Sequence, residues 1–437
     1  MKTKLILIAL LIAGSAQAQQ QWTLRDCIIY ALEHNIEIQK QKVVKQQEEV
    51  SLSTAKNRRL PNLTGDISQS FSFGRAVSPL TNSYINTNNS NSNFSISTSV
   101  PLFTGFEIPN TLELNKLNLK AATEDLNKAK EDISVEVTSS YLQVLFNIEL
   151  LSVAQEQVNL SKEQLSRVTR LNEVGKASTA EVYDAKSRLA QDELSTVQAE
   201  NNKQLSILDL TQLLELPSPE GFSVTVPEVE PDFASLTMPE DIFNQALLSK
   251  PSILAAQYRL AGSEKNIKIA QSAYYPQLSL GARLSTGYYN ISGTTNRSFS
   301  QQWSDNFNKY IGLTLSVPIF NRFATRNQVK SARLQWHTQS LLLESSKKVL
   351  YKEIQQAYYN AVAALAKYNS SKTAVSANEE SFKLMREKFE NGKANAYEFN
   401  EVKMTLMKST SDHLQAKYDY IFRSKILDFY KGIELNL

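Results

Sequence analysis

Two runs of about 65 residues, 106–172 and 323–390, carry an uninterrupted helical pattern. In the first run the apolar residues step by 4, 4, 3, 4 and 3 positions, the spacing of long packed helices; they are Ile133, Val137, Tyr141, Val144, Ile148 and Leu151. At about 1.5 Å per residue such a helix extends roughly 100 Å, far more than a compact domain needs. Gly175 or Gly392 ends each run before another helix returns. The sequence therefore predicts two long antiparallel helical hairpins.

The two runs belong to halves that repeat the same landmarks in the same order. A shift of 217 positions (392 minus 175) brings Val100–Phe103 onto Val317–Phe320 as well as Gly175 onto Gly392. Matches this dispersed indicate an internal duplication. We predict a first repeat over 19–215, a proline-rich linker over 216–239 and a second repeat over 240–437. Alternating apolar residues at 222, 224 and 226 predict a short strand in the linker.

Four further segments, two in each half, alternate apolar and polar residues. Period two predicts strands of roughly ten residues with one apolar and one polar face. The apolar positions are Leu63, Ile67, Phe71 and Phe73; Phe94, Ile96, Val100 and Leu102; Leu278, Leu280, Ala282 and Leu284; and Ile311, Leu313, Leu315 and Val317. Insertions over 74–92 and 290–308, rich in Asn, Ser and Thr, predict a long exposed loop between the strands of each pair.

The first 18 residues predict export from the cytoplasm. Lys2 and Lys4 precede an apolar run over 5–13, and Ala16 and Ala18 frame a small-residue cleavage site. The only cysteine, Cys27, does not follow that site directly, which argues against a lipid anchor, and a single cysteine excludes an internal disulfide. No later window approaches the 18 or so apolar residues of a spanning helix. We therefore expect any membrane crossing to be made by strands.

An open sheet of four strands cannot lie in hydrocarbon, because every backbone polar group there needs a partner. Several copies of the chain must then share one closed barrel. Two, three or four copies would give 8, 12 or 16 strands, and the smallest barrel leaves little lumen, so three copies are the economical wide channel. Polar strand faces would line this lumen and apolar faces would meet lipid, while the helical hairpins would continue the wall as a tube.

The duplication, the Val-Pro-Leu-Phe-Thr-Gly step over 100–105 and the glycine turns at 174–176 and 391–393 resemble the outer membrane efflux protein family, the TolC-like channels. The resemblance covers essentially the whole chain after residue 18. It implies a mainly α fold with a transmembrane β-barrel: a homotrimer with twelve strands, continued by a long α-helical periplasmic barrel. It also implies an outer-membrane subunit of a tripartite efflux or secretion system, docked to a periplasmic adaptor that is joined to an inner-membrane pump.

The resemblance also assigns roles to residues at the two turns. It places adaptor docking at Val174, Gly175, Lys176, Gly392 and Lys393, and a periplasmic gate at Glu181, Phe389, Glu398 and Glu401. Simpler roles remain open. The two glycines could serve solely to end helices. Glu181 and Glu398 could serve solely in capping boxes, because they stand at capping-box spacing from Ser178 and Asn395. Ala394 stands where the family has a gating arginine, so a charge-locked closed state needs another group, for which adjacent Lys393 is a candidate.

Other function classes find little support in the sequence. His34, His337 and His413 are isolated, with no nucleophile or metal-ligand spacing around them, and no phosphate-binding glycine loop is present. The sequence therefore predicts no enzyme, no cofactor and no metal site. The net charge of +3, with mixed signs, predicts no nucleic-acid partner. The alternatives are a periplasmic helical-hairpin adaptor and a general porin. The cargo, small molecules or a type I secreted protein, is not specified.

Overall fold

A computed structural model describes residues 21–77, 81–227 and 237–435. The predicted signal over 1–18 and residues 228–236 of the predicted linker lie outside these ranges. The elements are, in chain order, β1 Gln21–Trp22, α1 Leu24–His34, α2 Ile36–Asn57, β2 Asn62–Ser72, β3 Arg75–Val77, β4 Tyr84–Asn86, β5 Asn89–Phe103, α3 Glu107–Glu173, α4 Thr179–Leu213, β6 Ser223–Val224, α5 Pro239–Ser249, α6 Pro251–Ser272, β7 Gln277–Ile291, α7 Phe299–Asp305, β8 Asn308–Ser316, α8 Ala324–Glu390 and α9 Ala396–Tyr430.

The described residues divide into two units. Among the described residues, the helical unit consists of those within 21–44, 124–254 and 344–435, and the sheet unit of those within 45–123 and 255–343. Helices α3 and α8 have 67 residues each, and their return helices α4 and α9 have 35 each. The two predicted long hairpins are therefore confirmed.

The helical pattern over about 22–59 predicts one continuous helix, but this prediction is wrong because Asn35 separates α1 from α2. The backbone of Asn35 leaves the helical region (φ −58°, ψ 130°). Its buried side chain accepts a hydrogen bond from the Glu37 backbone N–H at 3.0 Å and donates one to the Leu213 carbonyl at 3.1 Å. Asn35 thus ends α1, caps α2 and bonds both helices to the end of α4. Periodicity alone cannot predict these roles.

The main apolar core of the helical unit forms around the α3 stripe seen in the sequence. Tyr141 is buried there, and its hydroxyl donates to the carbonyl oxygens of Trp22 at 3.2 Å and Thr225 at 2.7 Å. Trp22 ends β1, and Thr225 directly follows β6, the parallel partner of β1. The predicted short strand in the linker is therefore present, and Tyr141 fixes it to the core.

The sheet unit contains an antiparallel sheet in the order β2-β5-β7-β8. Its register puts Ile67 opposite Phe94 and Ile96 opposite Leu284, so the apolar residues share one face. That face is uncovered along the edge strands: Ile67 is 79% exposed and Ile311 is 74% exposed. An apolar face open to this extent, on a sheet with two free edge strands, indicates that the fold is completed by something outside the single chain.

The predicted long loops between paired strands are partly wrong. In the first insertion, β3 and β4 form a small hairpin, and β5 begins at Asn89. In the second, β7 extends to Ile291 and the seven-residue helix α7 follows. Polar composition indicated exposure but predicted neither the hairpin β3–β4 nor the helix α7.

One window of α3 has the length and mean hydropathy (1.2) of a possible membrane span, and half of that window is buried in the protein. The expectation that no later window approaches this composition was therefore too strict. A buried core helix passes the same test, so the window is weak evidence for a helical span.

Candidate functional site

The candidate site is the pair of turns that join α3 to α4 and α8 to α9, both in the helical unit. In the first turn, the Lys176 N–H donates to the Leu171 carbonyl at 2.8 Å and the Gly175 N–H to the Asn172 carbonyl at 2.9 Å. In the second, the Lys393 N–H donates to the Lys388 carbonyl at 2.8 Å, and Gly392 bonds in the same way. This pair of bonds is the Schellman motif, which satisfies the last carbonyls of a helix.

Both turns depend on a residue with positive φ. Gly175 has φ 72° and Gly392 has φ 69°. No atom lies within 4 Å of a Cβ added at either position, so backbone conformation rather than crowding requires the glycine. Beside them Val174, Lys176 and Lys393 are exposed. The proposed docking residues thus occupy open surface at the ends of the hairpins, and the two glycines also have the helix-ending role.

The glutamates that follow the two turns differ in their local bonds. The Asn395 side chain accepts from the Glu398 N–H at 2.9 Å, and the Glu398 carboxylate accepts from the Asn395 N–H at 3.0 Å, which completes a capping box. At α4, the Ser178 hydroxyl accepts from the Glu181 N–H at 3.2 Å. Within the described residues the Glu181 carboxylate gives no return bond, so that side chain is not committed to capping.

Phe389 is half-buried rather than free. Its ring stacks on Phe399 with centroids 4.7 Å apart, and the Arg167 guanidinium lies 5.2 Å from its centroid. Arg167, on α3, also donates to the carbonyl oxygens of Phe389 at 3.3 Å and Glu390 at 2.7 Å. One arginine of the first hairpin therefore binds the carboxyl end of α8, where cations are favoured, and packs on the aromatic side chain.

A second cross-link lies deeper in the bundle. The Lys403 ammonium on α9 donates to the Asp192 carboxylate at 2.9 Å, to the Ser161 hydroxyl at 2.6 Å and to the Gln157 carbonyl at 3.4 Å. Ser161 in turn donates to Asp192 at 2.5 Å. The side chains of Lys403 and Asp192 are only 5% and 12% exposed, so the three donors of the ammonium are satisfied inside the protein. These contacts join α3, α4 and α9.

Sequence reasoning missed Arg167, Lys403, Asp192 and Ser161. A signal was present for two of them. Asp192 lies midway between buried Ala185 and Ala199 at steps of seven, and Lys403 follows buried Phe399 by one turn. A charge within an apolar stripe indicates a buried ion pair.

The remaining predicted residue, Glu401, is exposed on α9. Among the residues that the structure describes, no group of three or more His, Cys, Asp or Glu side chains could hold a metal ion. The arrangement consists of two exposed turns with acidic side chains beside them and a basic, aromatic contact between hairpins. Such an arrangement can contact another protein and can hold one hairpin against the other.

Comparisons with known proteins agree with this architecture. The model of the family described as "Outer membrane efflux protein" matches residues 28–215 and 242–430. The chain is 23% identical to "Outer membrane protein TolC" of Escherichia coli (strain K12), over 95% of this chain and 83% of that protein. It is 21% identical to "Toxin and drug export protein A" of Aggregatibacter actinomycetemcomitans, over 75% and 69%.

Among solved structures, the fold is similar to the Campylobacter jejuni CmeC outer membrane channel, with a TM-score of 0.79 and 17% identity over 94% of this chain and 85% of that chain. A likeness at this identity supports the fold alone. Since the family model matches most of the sequence in two consecutive segments, the chain belongs to the outer membrane efflux protein family and is an outer-membrane efflux channel subunit.

Proposed function

We propose that the chain acts as a homotrimer, a passive duct in a tripartite efflux or secretion system. Each copy contributes four strands to a twelve-stranded barrel and two hairpins to a periplasmic helical barrel. A periplasmic adaptor contacts the turns, and an inner-membrane pump supplies energy and selects cargo. No enzymatic step is assigned to the chain. One relative is named for toxin and drug export, and we propose small molecules or a secreted polypeptide as cargo here.

The observation that carries this proposal is the uncovered sheet. Its apolar face is exposed along the edge strands β2 and β8, and neither edge has a further strand partner within the described residues. In lipid, unpaired edges are prohibitively costly. Closure with neighbouring copies satisfies the edge backbone groups, and lipid contact buries the apolar face. A periplasmic adaptor would have no use for such a sheet, and a porin would not carry two 67-residue helices.

The adaptor-docking role of the turns is supported by their exposure and their shared backbone. Val174, Lys176 and Lys393 project from segments whose conformation is fixed by Schellman bonds. A preformed turn loses little conformational entropy on binding. Charge reversal of Lys176 and Lys393 to Glu, together, should weaken co-purification with the adaptor and leave the trimer intact. Unchanged co-purification would exclude these lysines from docking.

Ala394 carries no charge, so in the proposed gate another charged group must hold the closed state. Arg167 is the candidate, because it crosses from the first hairpin to the carboxyl end of α8. Lys393 is exposed and is kept as a docking residue. We propose that opening moves the α8–α9 turn away from Arg167, while the buried Lys403 contact acts as the fixed point of that motion.

The gate role of the glutamates can be separated from their capping role. Glu398→Gln keeps an amide oxygen for the capping box but removes the charge, whereas Glu398→Ala removes both. If acidic repulsion or cation binding shapes the opening, Glu398→Gln with Glu401→Gln changes single-channel conductance in planar bilayers as strongly as the alanine pair does. If Gln variants conduct as the parent does and only Ala variants differ, both residues belong to helix structure. Glu181→Gln is the matched variant at the first turn.

The duct itself is tested by reconstituting the purified full chain. We expect a detergent-dependent trimer that gives discrete conductance steps in planar bilayers. A monodisperse monomer in detergent-free buffer, or the absence of any conductance from a folded trimer, would contradict the proposal.

A further inference from the structure

Helix α7, between β7 and β8, covers the part of the β7 edge with which β8 does not pair. Strand β8 pairs with β7 only along 277–285, although β7 continues to Ile291. Beyond that point, Gln302 of α7 takes the place of a strand. Its amide donates to the Tyr289 carbonyl at 2.9 Å and accepts from the Tyr289 N–H at 3.0 Å. The Gln302 side chain is therefore buried, at 1% exposure for the residue.

Further bonds fix α7 on that edge. The Asn306 side chain donates to the Gly287 carbonyl at 2.7 Å, and the Thr286 hydroxyl donates to the Trp303 carbonyl at 2.9 Å. At its start, Ser298 and Gln301 form a capping box. So short a helix would be marginal alone. These contacts make it a rigid part of the sheet unit.

Exposed aromatic side chains lie on α7 and just after it. Phe299 and Trp303 stand one helical turn apart on α7, and Phe307 follows two residues after the helix ends; they are 51%, 42% and 46% exposed. They adjoin the apolar face of the sheet, since Phe94 lies 5.2 Å from Trp303 and Tyr288 lies 5.4 Å from Phe299 between ring centroids. This aromatic stripe thus extends the face that the proposed function turns toward lipid, at the end of the strands where the loops lie.

Charged groups border the stripe. Arg297 pairs with Asp305 at 2.7 Å on the surface, and the Lys309 ammonium lies 5.6 Å from the Phe307 ring centroid. Aromatic side chains beside cations are the composition found where a protein meets the boundary between lipid headgroups and acyl chains. The cations can reach lipid phosphates while the rings remain below them.

The described residues of the first insertion show no such arrangement. Among them Tyr84 is the one aromatic residue, and its exposed ring has the Arg75 guanidinium 4.9 Å from its centroid. The aromatic stripe is thus a feature of the second half and not of the duplicated unit.

We propose that α7 and the residues that follow it form an interfacial anchor: Phe299, Trp303 and Phe307 insert at the headgroup and acyl boundary of the membrane, and Arg297 and Lys309 face lipid phosphates. The inference rests on the proposed function, because it needs the apolar face of the sheet to meet lipid. Lipid is favoured over a neighbouring copy of the chain as the partner of these aromatic side chains. Neighbouring copies join through strand edges, whereas the aromatic stripe lies over the face of the sheet.

The test uses the full chain in vesicles of phosphatidylcholine and phosphatidylglycerol whose acyl chains are brominated either near the headgroup or near the chain end. The three tryptophans are Trp22, Trp303 and Trp336, so Trp22→Phe with Trp336→Phe leaves Trp303 as the only reporter. We expect blue-shifted Trp303 emission, greater quenching by the shallow bromine than by the deep one, and protection from acrylamide.

Two reference variants carry the same two substitutions and Trp303→Phe. One adds Tyr84→Trp in the first insertion, which should be quenched by acrylamide and not by either lipid. The other adds Leu313→Trp, on the apolar face of β8, which should be quenched by brominated lipid if the barrel forms. Acrylamide quenching of Trp303 equal to that of Tyr84→Trp would overturn the anchor.

Shielding of Trp303 from both acrylamide and lipid would also overturn it, in favour of burial against another copy. If Leu313→Trp is quenched by lipid and Trp303 is not, the anchor fails and the proposed channel survives. If neither is quenched by lipid, the failure belongs to the proposed function.

Discussion

The two turns at the ends of the helical hairpins share one backbone design and differ in what holds them. Both close through the same pair of Schellman bonds and a glycine near φ 70°. The α8–α9 turn additionally has a complete capping box and is bound by Arg167 of the other hairpin, whereas the bonds found at the α3–α4 turn among the described residues all lie within that turn and its helices. The two turns thus share one backbone conformation. Among the described bonds, those from a side chain of the other hairpin reach the α8–α9 turn and not the α3–α4 turn.

The largest effect is expected where the hairpins are joined by a buried charge. Lys403→Met leaves Asp192 buried without its partner, and we expect the free energy of unfolding to fall by about 3 kcal/mol. Thermal unfolding of the solubilised trimer, followed by circular dichroism, measures it. Lys408→Met, at an exposed position on the same helix, is the control. Equal losses for both variants would refute a structural role for the buried pair.

The asymmetry of the turns is tested by Arg167→Met, which removes two bonds to carbonyls and the contact with the Phe389 ring. We expect a loss of about 1.5 kcal/mol in stability and more frequent opening in single-channel records. Arg170→Met is the matched control, because the side chain of Arg170 bonds only within its own helix, to Ser166, among the bonds described. If Arg170→Met opens the channel as often, the anchoring of the second turn is not specific to Arg167.

The shared backbone is tested by Gly175→Ala and Gly392→Ala. Each forces a Cβ into the left-handed region, at a cost of about 1 kcal/mol, and free space around both sites predicts equal losses. Thermal unfolding of the two variants side by side provides the measurement. A clearly larger loss at one glycine would show that the two turns differ in backbone strain as well as in side-chain contacts.

The smallest effect concerns pH. Burial, and then the positive charges of Lys372 and Lys417, lower the pKa of His413 from 6.5, while Glu149 and Glu379 oppose them. Since the unfolded chain binds this proton more readily, stability is full above pH 6.5 and declines as pH falls below it. His413→Gln should flatten the decline in melting temperature over that window. An unchanged slope would assign the pH dependence to other groups.

Much of the fold could be predicted from periodicity. Steps of three and four gave the 67-residue helices, and period two gave the four strands with their apolar face. The break at Asn35 and the helix α7 were missed. Each depends on one side-chain amide that bonds to the backbone of a different element. At the turns, the glycines and the capping spacing were readable. Arg167 was not, because its partners are carbonyls of a helix more than 200 residues away.

The most direct test of the central claim compares neighbouring positions of β8 in the reconstituted channel. Leu313 lies on the apolar face and Thr314 on the polar face, and burial raises the pKa of Cys27 to about 12, so the native thiol stays unreactive. We predict that a charged thiol reagent reduces the conductance of Thr314→Cys and leaves that of Leu313→Cys unchanged. Equal reaction at both positions would contradict a sheet with water on one face and lipid on the other.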